Sequence, residues 1–243
     1  MNLLLFIGTL YAIEPKEIIE SAVERQQIEN SIQTIRMTLV SKSGATKSRM
    51  FTMKLRRDSD ALRSYTRFSE PSDIRGTQIV FIDRPNKKDP QLIYLPALKR
   101  VQRIVGRAQN GSFMGSDFSF ADLEQSLSGE ETHTLEHEDA EWWTIRSTDP
   151  NHKNYLYWST KISKKDQIPY QVDYYAKNNT LLKRLTVENT REQDGRVIPI
   201  KTRMENHKKG TQTILEITEI RLNVPPEELP LDMFSPAYME END

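Results

Sequence analysis

Three short stretches hold side chains that could do chemistry. Gly111-Ser112-Phe113-Met114-Gly115 has the outline of a nucleophile elbow, but the serine falls one place early and no strand and long helix flank it. His133 and His137, with Glu136 and Glu138 between and beside them, offer metal-type donors. On a strand the two imidazoles would share one face yet stand roughly 13 Å apart at about 3.3 Å per residue, too far for one ion. Asp117 and Asp122 could act as acid and base, but Asp117 to Glu141 contains no Lys or Arg, and helix capping and solvation are their expected roles. No Gly-x-Gly-x-x-Gly or P-loop lysine motif supplies a phosphate cradle. The chain has no cysteine, which excludes a disulfide framework, a thiolate metal site, a cysteine nucleophile and a lipidated N-terminal cysteine. None of these stretches by itself makes a convincing enzyme site.

The elements that must position these residues follow from composition and periodicity. The chain has 243 residues, 28% charged and 36% hydrophobic, with a formal net charge of −1. That length supports a sizeable core, and the charge balance argues against a nucleic-acid binder. Residues 1–12 read as a signal peptide, with the apolar run Leu3 to Leu10 and cleavage after Ala12. The run is shorter than the roughly 20 residues of a transmembrane helix; a buried N-terminal strand is the alternative. Residues 13–243 then form one domain, since neither a linker nor a repeat interrupts them.

Ile18, Ile19, Ala22, Val23 and Ile28 recur at helical spacing behind Pro15, predicting one amphipathic helix. From Ile35 the period changes to two. Ile35, Met37 and Leu39 alternate with more polar neighbours, Ser43-Gly44-Ala45-Thr46 makes a turn, and Phe51, Met53 and Leu55 alternate on the way back. The same grammar continues through 62–68, 77–83, 91–95, 101–105, 132–138, 141–147, 155–159, 170–176, 181–189, 197–204 and 211–222. So many short strands in succession predict a large antiparallel sheet that curls or closes. Trp142-Trp143 sends one indole inward and one outward. The proline-rich end, 224–234, reads as an extended strap docking Leu231, Met233 and Phe234 onto the sheet.

Charge is uneven along the chain. Residues 84–107 carry Arg84, Lys87, Lys88, Lys99, Arg100, Arg103 and Arg107, whereas 117–141 are acidic. The basic block could meet anionic head groups or a partner; the alternative is two solvated faces. Between the blocks, Gly106 to Leu123 is a glycine-rich loop with Phe113, Met114, Phe118 and Phe120, giving way to a short helix near Ser119. Such a loop either flaps over a cavity or plugs a core.

Here the sequence resembles the LolA-like outer-membrane lipoprotein-sorting family of Gram-negative bacteria. The likeness is carried by Pro71-Ser72-Asp73-Ile74-Arg75-Gly76-Thr77, by Leu92 to Val101, and above all by Phe113-Met114-Gly115-Ser116-Asp117-Phe118. It extends more loosely from the opening helix to Phe234. The resemblance implies a mainly β fold: a half-open β-barrel with an N-terminal helix and a short helical lid covering an apolar cavity. It also implies a monomeric periplasmic carrier of lipid or lipoprotein acyl chains, with an inner-membrane transporter and an outer-membrane acceptor as partners and no nucleic acid. The alternative it leaves is a non-enzymatic accessory or scaffold protein of a resistance-nodulation-division type exporter; a hydrolase is third, and both leading readings predict a non-enzyme with no metal and no cofactor.

The alternation supplies the face such a carrier needs. Ile35, Met37, Leu39, Phe51, Met53, Leu55, Ile79, Phe81, Ile93 and Leu95 are the candidate cavity residues. Phe113, Met114, Phe118, Phe120 and Leu123 are the candidate lid, and Lys99, Arg100, Arg103 and Arg107 the candidate head-group or partner contacts. Each apolar residue could equally be ordinary core, because alternation does not distinguish a filled interior from an empty one.

Overall fold

The computed structural model describes residues 13–26, 28, 30–84, 91–123, 130–152 and 154–242. The expected signal peptide, 1–12, lies outside the described residues, as do Lys87 and Lys88 of the basic block. No helix among the described residues is long and apolar enough to cross a membrane.

One helix opens the described chain, α1 (Pro15–Gln26). Pro15 takes its first position, where the missing N–H costs nothing, and Ile18, Ile19 and Ala22 form its buried stripe. Thirteen strands follow: β1 (Ser31–Val40), β2 (Thr46–Arg57), β3 (Leu62–Glu70), β4 (Gln78–Asp83), β5 (Gln91–Leu95), β6 (Arg100–Ile104), β7 (Thr132–Glu138), β8 (Trp142–Thr148), β9 (Tyr157–Ser163), β10 (Pro169–Tyr175), β11 (Leu181–Gln193), β12 (Arg196–Asn206) and β13 (Thr211–Leu222). The chain closes on α2 (Pro236–Glu241).

All thirteen strands lie in one antiparallel sheet, ordered β6-β5-β4-β3-β2-β1-β13-β12-β11-β10-β9-β8-β7. Two meanders thus meet where the β1–β13 pair joins the early and late halves of the chain. The fold is mainly β, and the sheet is not closed into a barrel: β6 and β7 are its edges. Both edges are heavily charged, which discourages pairing with another chain. The tight connections have turn chemistry to match. Asp194 and Gly195 both take positive φ, 52° and 71°, between the paired residues Gln193 and Arg196, as a two-residue hairpin with right-handed strand twist requires.

Directly opposed residues run across the sheet from Ile145 to Thr160, Val172, Leu185, Met204, Thr213 and Leu39, so all share one face, here termed inner. At the β7–β9 end this face is covered by α1, whose Ile18, Ile19, Ala22 and Val23 pack with Trp143, Ile145 and Ile162. The Trp pair divides as alternation requires: Trp143 meets α1, while Trp142 stands edge-on to Tyr170 on the outer face, ring centroids 5.5 Å apart. The C-terminal strap lies on the outer face of β3–β6, where Met233, Phe234 and Met239 bury Tyr65, Val80, Leu92 and Tyr94. Leu231 does not dock as expected and is 53% exposed; the strap forms a 3-10 turn there, and of the three expected residues Met233 and Phe234 face the sheet. The strap also continues into α2, an unforeseen helix with Ser235 as its cap, the Oγ accepting from the Tyr238 N–H.

Candidate functional site

On the inner face of β1–β5 the ladder brings the expected apolar residues together. Ile35 is opposite Phe51, and Phe51 is opposite Phe68; Ile79 is opposite Ile93. Ile35, Met37, Phe51 and Ile79 are buried in one cluster, with Leu39, Met53, Phe81 and Ile93 packed against it. Leu55 is buried on the same face but outside that cluster, and Leu95 is half-buried near the β6 edge. Phe68, Ile104 and Met204 complete the buried set; composition hides Phe68 and Met204 because each sits singly between polar neighbours.

This face is not vacant. Phe113, Phe118 and Phe120 are buried in the same cluster, and Met114 and Leu123 pack against it, so all five candidate lid residues lie over the candidate cavity residues. The rings interlock: Phe113 stands edge-on to Phe51 at 6.5 Å and to Phe120 at 5.5 Å, and Phe120 reaches Phe81 at 6.4 Å. The segment is a run of 3-10 turns (Gly106–Asn110, Phe113–Gly115, Ala121–Leu123), the last of them following Ser119, where the short helix is expected; residues 124–129 lie outside the described residues. Its ends are tied to each other: the Phe113 N–H donates to the Phe118 carbonyl (2.7 Å) and the Phe120 N–H to that of Gly111 (3.2 Å). Glycines and serines at this density favour turns, and the reciprocal bonds between Ser119 and Asp122 cap a single tight turn.

Two aspartates fasten the segment to the sheet. Asp117, 7% exposed, accepts from the hydroxyls of Thr211 (2.6 Å) and Thr213 (3.0 Å) on β13, and its own N–H donates to Thr213 Oγ1. Asp122 accepts from the Tyr155 hydroxyl (2.7 Å), the Lys183 ammonium on β11 (2.8 Å) and the Ser119 N–H (2.7 Å). The pair is well shielded, with side chains 2% exposed for Asp122 and 12% for Lys183. Burial, reinforced by the Asp122 charge, raises the Tyr155 and Tyr174 phenols above their ordinary value, so both remain protonated and Tyr155 can donate. His152 stacks on Tyr155, 4.9 Å between rings, and its Nδ1 accepts from the N–H groups of Asn154 and Tyr155. Burial lowers the His152 pKa, consistent with a nitrogen used as an acceptor. Capping was the role expected of Asp122; the partnership with Lys183 and Tyr155, distant in sequence, was not legible.

The remaining candidates are dispersed. A bulge between Leu135 and His137 turns the two histidines to opposite faces of β7, which corrects the expected shared face. His133 meets Ser147 Oγ at 2.8 Å and His137 lies 3.5 Å from Asp139. No group of three or more His, Asp or Glu among the described residues is placed to hold a metal ion. Lys99, Arg100, Arg103 and Arg107 are all exposed along and just beyond the β6 edge, but Arg100 and Arg103, three apart, project from opposite faces. A groove of about 600 Å³ opens instead on the outer face, lined by residues including Thr52, Lys54, Tyr65, Arg67 and Tyr238.

A family model described as uncharacterized protein-like matches residues 60–241. No curated protein matches the sequence. Among solved structures, a domain described as outer membrane lipoprotein-sorting from Vibrio parahaemolyticus is similar, with 26% identity and a TM-score of 0.82 over 92% of this chain and 97% of that one. A DUF1329 family protein from Desulfovibrio piger shares the fold at 22% identity and a TM-score of 0.82, covering 93% of this chain and 98% of its own. A LolA superfamily protein from Nitrosomonas europaea does so at 18% identity and 0.71, covering 93% and 100%. The chain therefore belongs to the family whose model spans residues 60–241, and its fold is that of the LolA-like, lipoprotein-sorting proteins.

Proposed function

We propose that this chain is a periplasmic carrier that holds the acyl chains of a lipid or lipoprotein on the inner face of β1–β5, with Phe113–Leu123 as the lid. One observation carries the reading: the apolar face is covered by a loop of 3-10 turns that inserts five apolar side chains, not by a helix or a second sheet. Such a cover can be exchanged for cargo at modest net cost. Three phenylalanines contribute about 1.5–3 kcal/mol each when buried, and an acyl chain of about a dozen methylenes contributes about 10 kcal/mol at ~0.8 kcal/mol per methylene. The two fillings are comparable, which is what reversible loading needs. The lid's polar ties, Asp117 to β13 and Asp122 to Lys183 and Tyr155, hold it closed when the face is unloaded. Lys99, Arg100, Arg103 and Arg107 along the β6 edge are the proposed contacts for anionic head groups or for the donor and acceptor.

The LolA-like fold and the lipoprotein-sorting likeness support a carrier, and an envelope location goes with it. The other reading, a scaffold of an envelope exporter that loads no lipid, draws on the same packed face. Native mass spectrometry with lipid extraction, on protein purified from a Gram-negative periplasm without detergent, separates the two. The carrier predicts co-purifying lipid or acylated peptide that is lost in Phe81→Glu, because a carboxylate on that apolar face is strongly disfavoured. A mass that stays bare after incubation with envelope lipids would transfer the function to the scaffold.

A further inference from the structure

Arg49, near the start of β2, is directly opposite Met37 and so lies on the inner face, two residues before Phe51 of the apolar cluster. Its guanidinium sits under the tip of the lid: a Cβ built on Gly115 would stand 3.6 Å from Arg49 Nη2. That tip is a left-handed turn, with φ of 49° at Met114 and 76° at Gly115. The 71–76 turn is also close, its Ile74 packing against the cluster and its Asp73 being the carboxylate that acts on Arg49 through space. Arg49 is half-buried, yet it makes no hydrogen bond or ion pair among the described residues. A guanidinium partly removed from water without a partner is costly, and its planar fork of donors is suited to a carboxylate or phosphate. Burial lowers its pKa more than the Asp73 charge raises it, so the fold has not compensated the site internally.

When the lid lifts, Arg49 stands at the margin of the uncovered apolar face with its donors free. We propose that Arg49 receives the anionic head group of the cargo, and that the cargo class is therefore an acyl lipid bearing a phosphate close to its chains rather than a neutral glyceride. This rests on the carrier reading and narrows it. The position suits the role: chains laid along Met37, Phe51 and Phe81 would end at the rim where Arg49 emerges. Asp73 is a competitor, since its charge repels the phosphate that Arg49 attracts.

The test compares dioctanoyl phosphatidic acid with dioctanoylglycerol, equal in chains and different in the phosphate, by native mass spectrometry and tryptophan fluorescence titration on the purified chain. A charge-assisted hydrogen bond predicts that the phospholipid binds roughly tenfold to a hundredfold more tightly. Arg49→Gln should remove that ratio while leaving dioctanoylglycerol binding unchanged, Arg49→Lys should restore part of it, and Asp73→Asn should increase it. Unchanged dioctanoylglycerol binding also serves as the control that Arg49→Gln is folded. Equal binding of the two lipids, or a ratio that survives Arg49→Gln, overturns the assignment. Binding of neither lipid by the wild-type chain removes the carrier reading and this inference with it. Inorganic phosphate alone, competing for the site at the same concentrations, would show an anion site independent of acyl cargo and likewise overturn it.

Discussion

Replacing Asp122 by alanine distinguishes a lid from a plug. The carboxylate takes three donors at 2.7–2.8 Å, and its loss strands the Lys183 ammonium, the Tyr155 hydroxyl and the Ser119 N–H together. Because the Asp122 and Lys183 side chains are only 2% and 12% exposed, solvent does not screen the loss, and breaking a buried pair from one side costs about 3–5 kcal/mol. If Phe113–Leu123 opens as a unit, that energy is spent on local opening. Hydrogen exchange of amides in 111–123 should then accelerate by roughly a hundredfold to several thousandfold, with strands of the sheet unchanged. If the segment is an inseparable part of the core, the whole cost falls on global unfolding, and Tm drops by about 6–20 °C at 2–4 °C per kcal/mol for a chain of this size. Exchange mass spectrometry and a melting curve on the same variant give both numbers. A full Tm loss, with exchange in the segment and in β1–β5 rising in step, would refute the lid.

Two further outcomes follow from local geometry. His152 is neutral by construction, since burial lowers its pKa and its Nδ1 accepts two backbone N–H groups. A group whose folded pKa lies below its unfolded value of about 6.5 leaves stability intact above that pH and withdraws it as pH falls through the folded value. Melting temperature should therefore fall as the pH drops below about 6.5, and the decline should be shallower in His152→Gln; equal slopes would acquit the imidazole. Gly115→Ala places a Cβ on a residue at φ 76°, a left-handed conformation costing about 1–2 kcal/mol, while the nearest atom, Arg49 Nη2, is 3.6 Å away and does not clash. A variant with enhanced exchange confined to the lid tip is expected; wild-type exchange there would mean the turn relaxes without strain.

How far the sequence determines this protein can be judged from particular residues. Period-two alternation sufficed for the apolar strands, because a half-buried strand must place apolar groups on every second residue, and β1 and β2 appear where Ile35 to Leu39 and Phe51 to Leu55 put them. Alternation also assigned Ile35, Met37, Phe51 and Ile79 to one face, and the density of phenylalanine in a glycine-rich loop marked Phe113 to Leu123 as its cover. A single inserted residue is invisible to that reasoning: the bulge before His137 reversed its face, as an extra residue must in a period of two. The helical start near Ser119 was legible as well: Ser119 and Asp122 exchange capping bonds at the 3-10 turn Ala121–Leu123.

What tertiary structure alone decided are the partners brought together across the chain. Lys183 and Tyr155 reach Asp122 from 61 and 33 residues away, because β11 and the approach to β9 pass beside the 106–123 segment. Likewise Met239 reaches the outer face of β3 and β4, where its carbonyl accepts from Gln78 Nε2 at 2.8 Å. Arg49 reads in sequence as one more cation on an exposed strand end. Only the sheet register, which sets it opposite Met37, and the path of the 106–123 segment, which brings Gly115 over it, make it a half-buried guanidinium with no hydrogen bond among the described residues. Local patterning records which face of an element avoids water; which charges meet on that face depends on contacts between residues far apart in the chain, and those are fixed by the geometry of packing.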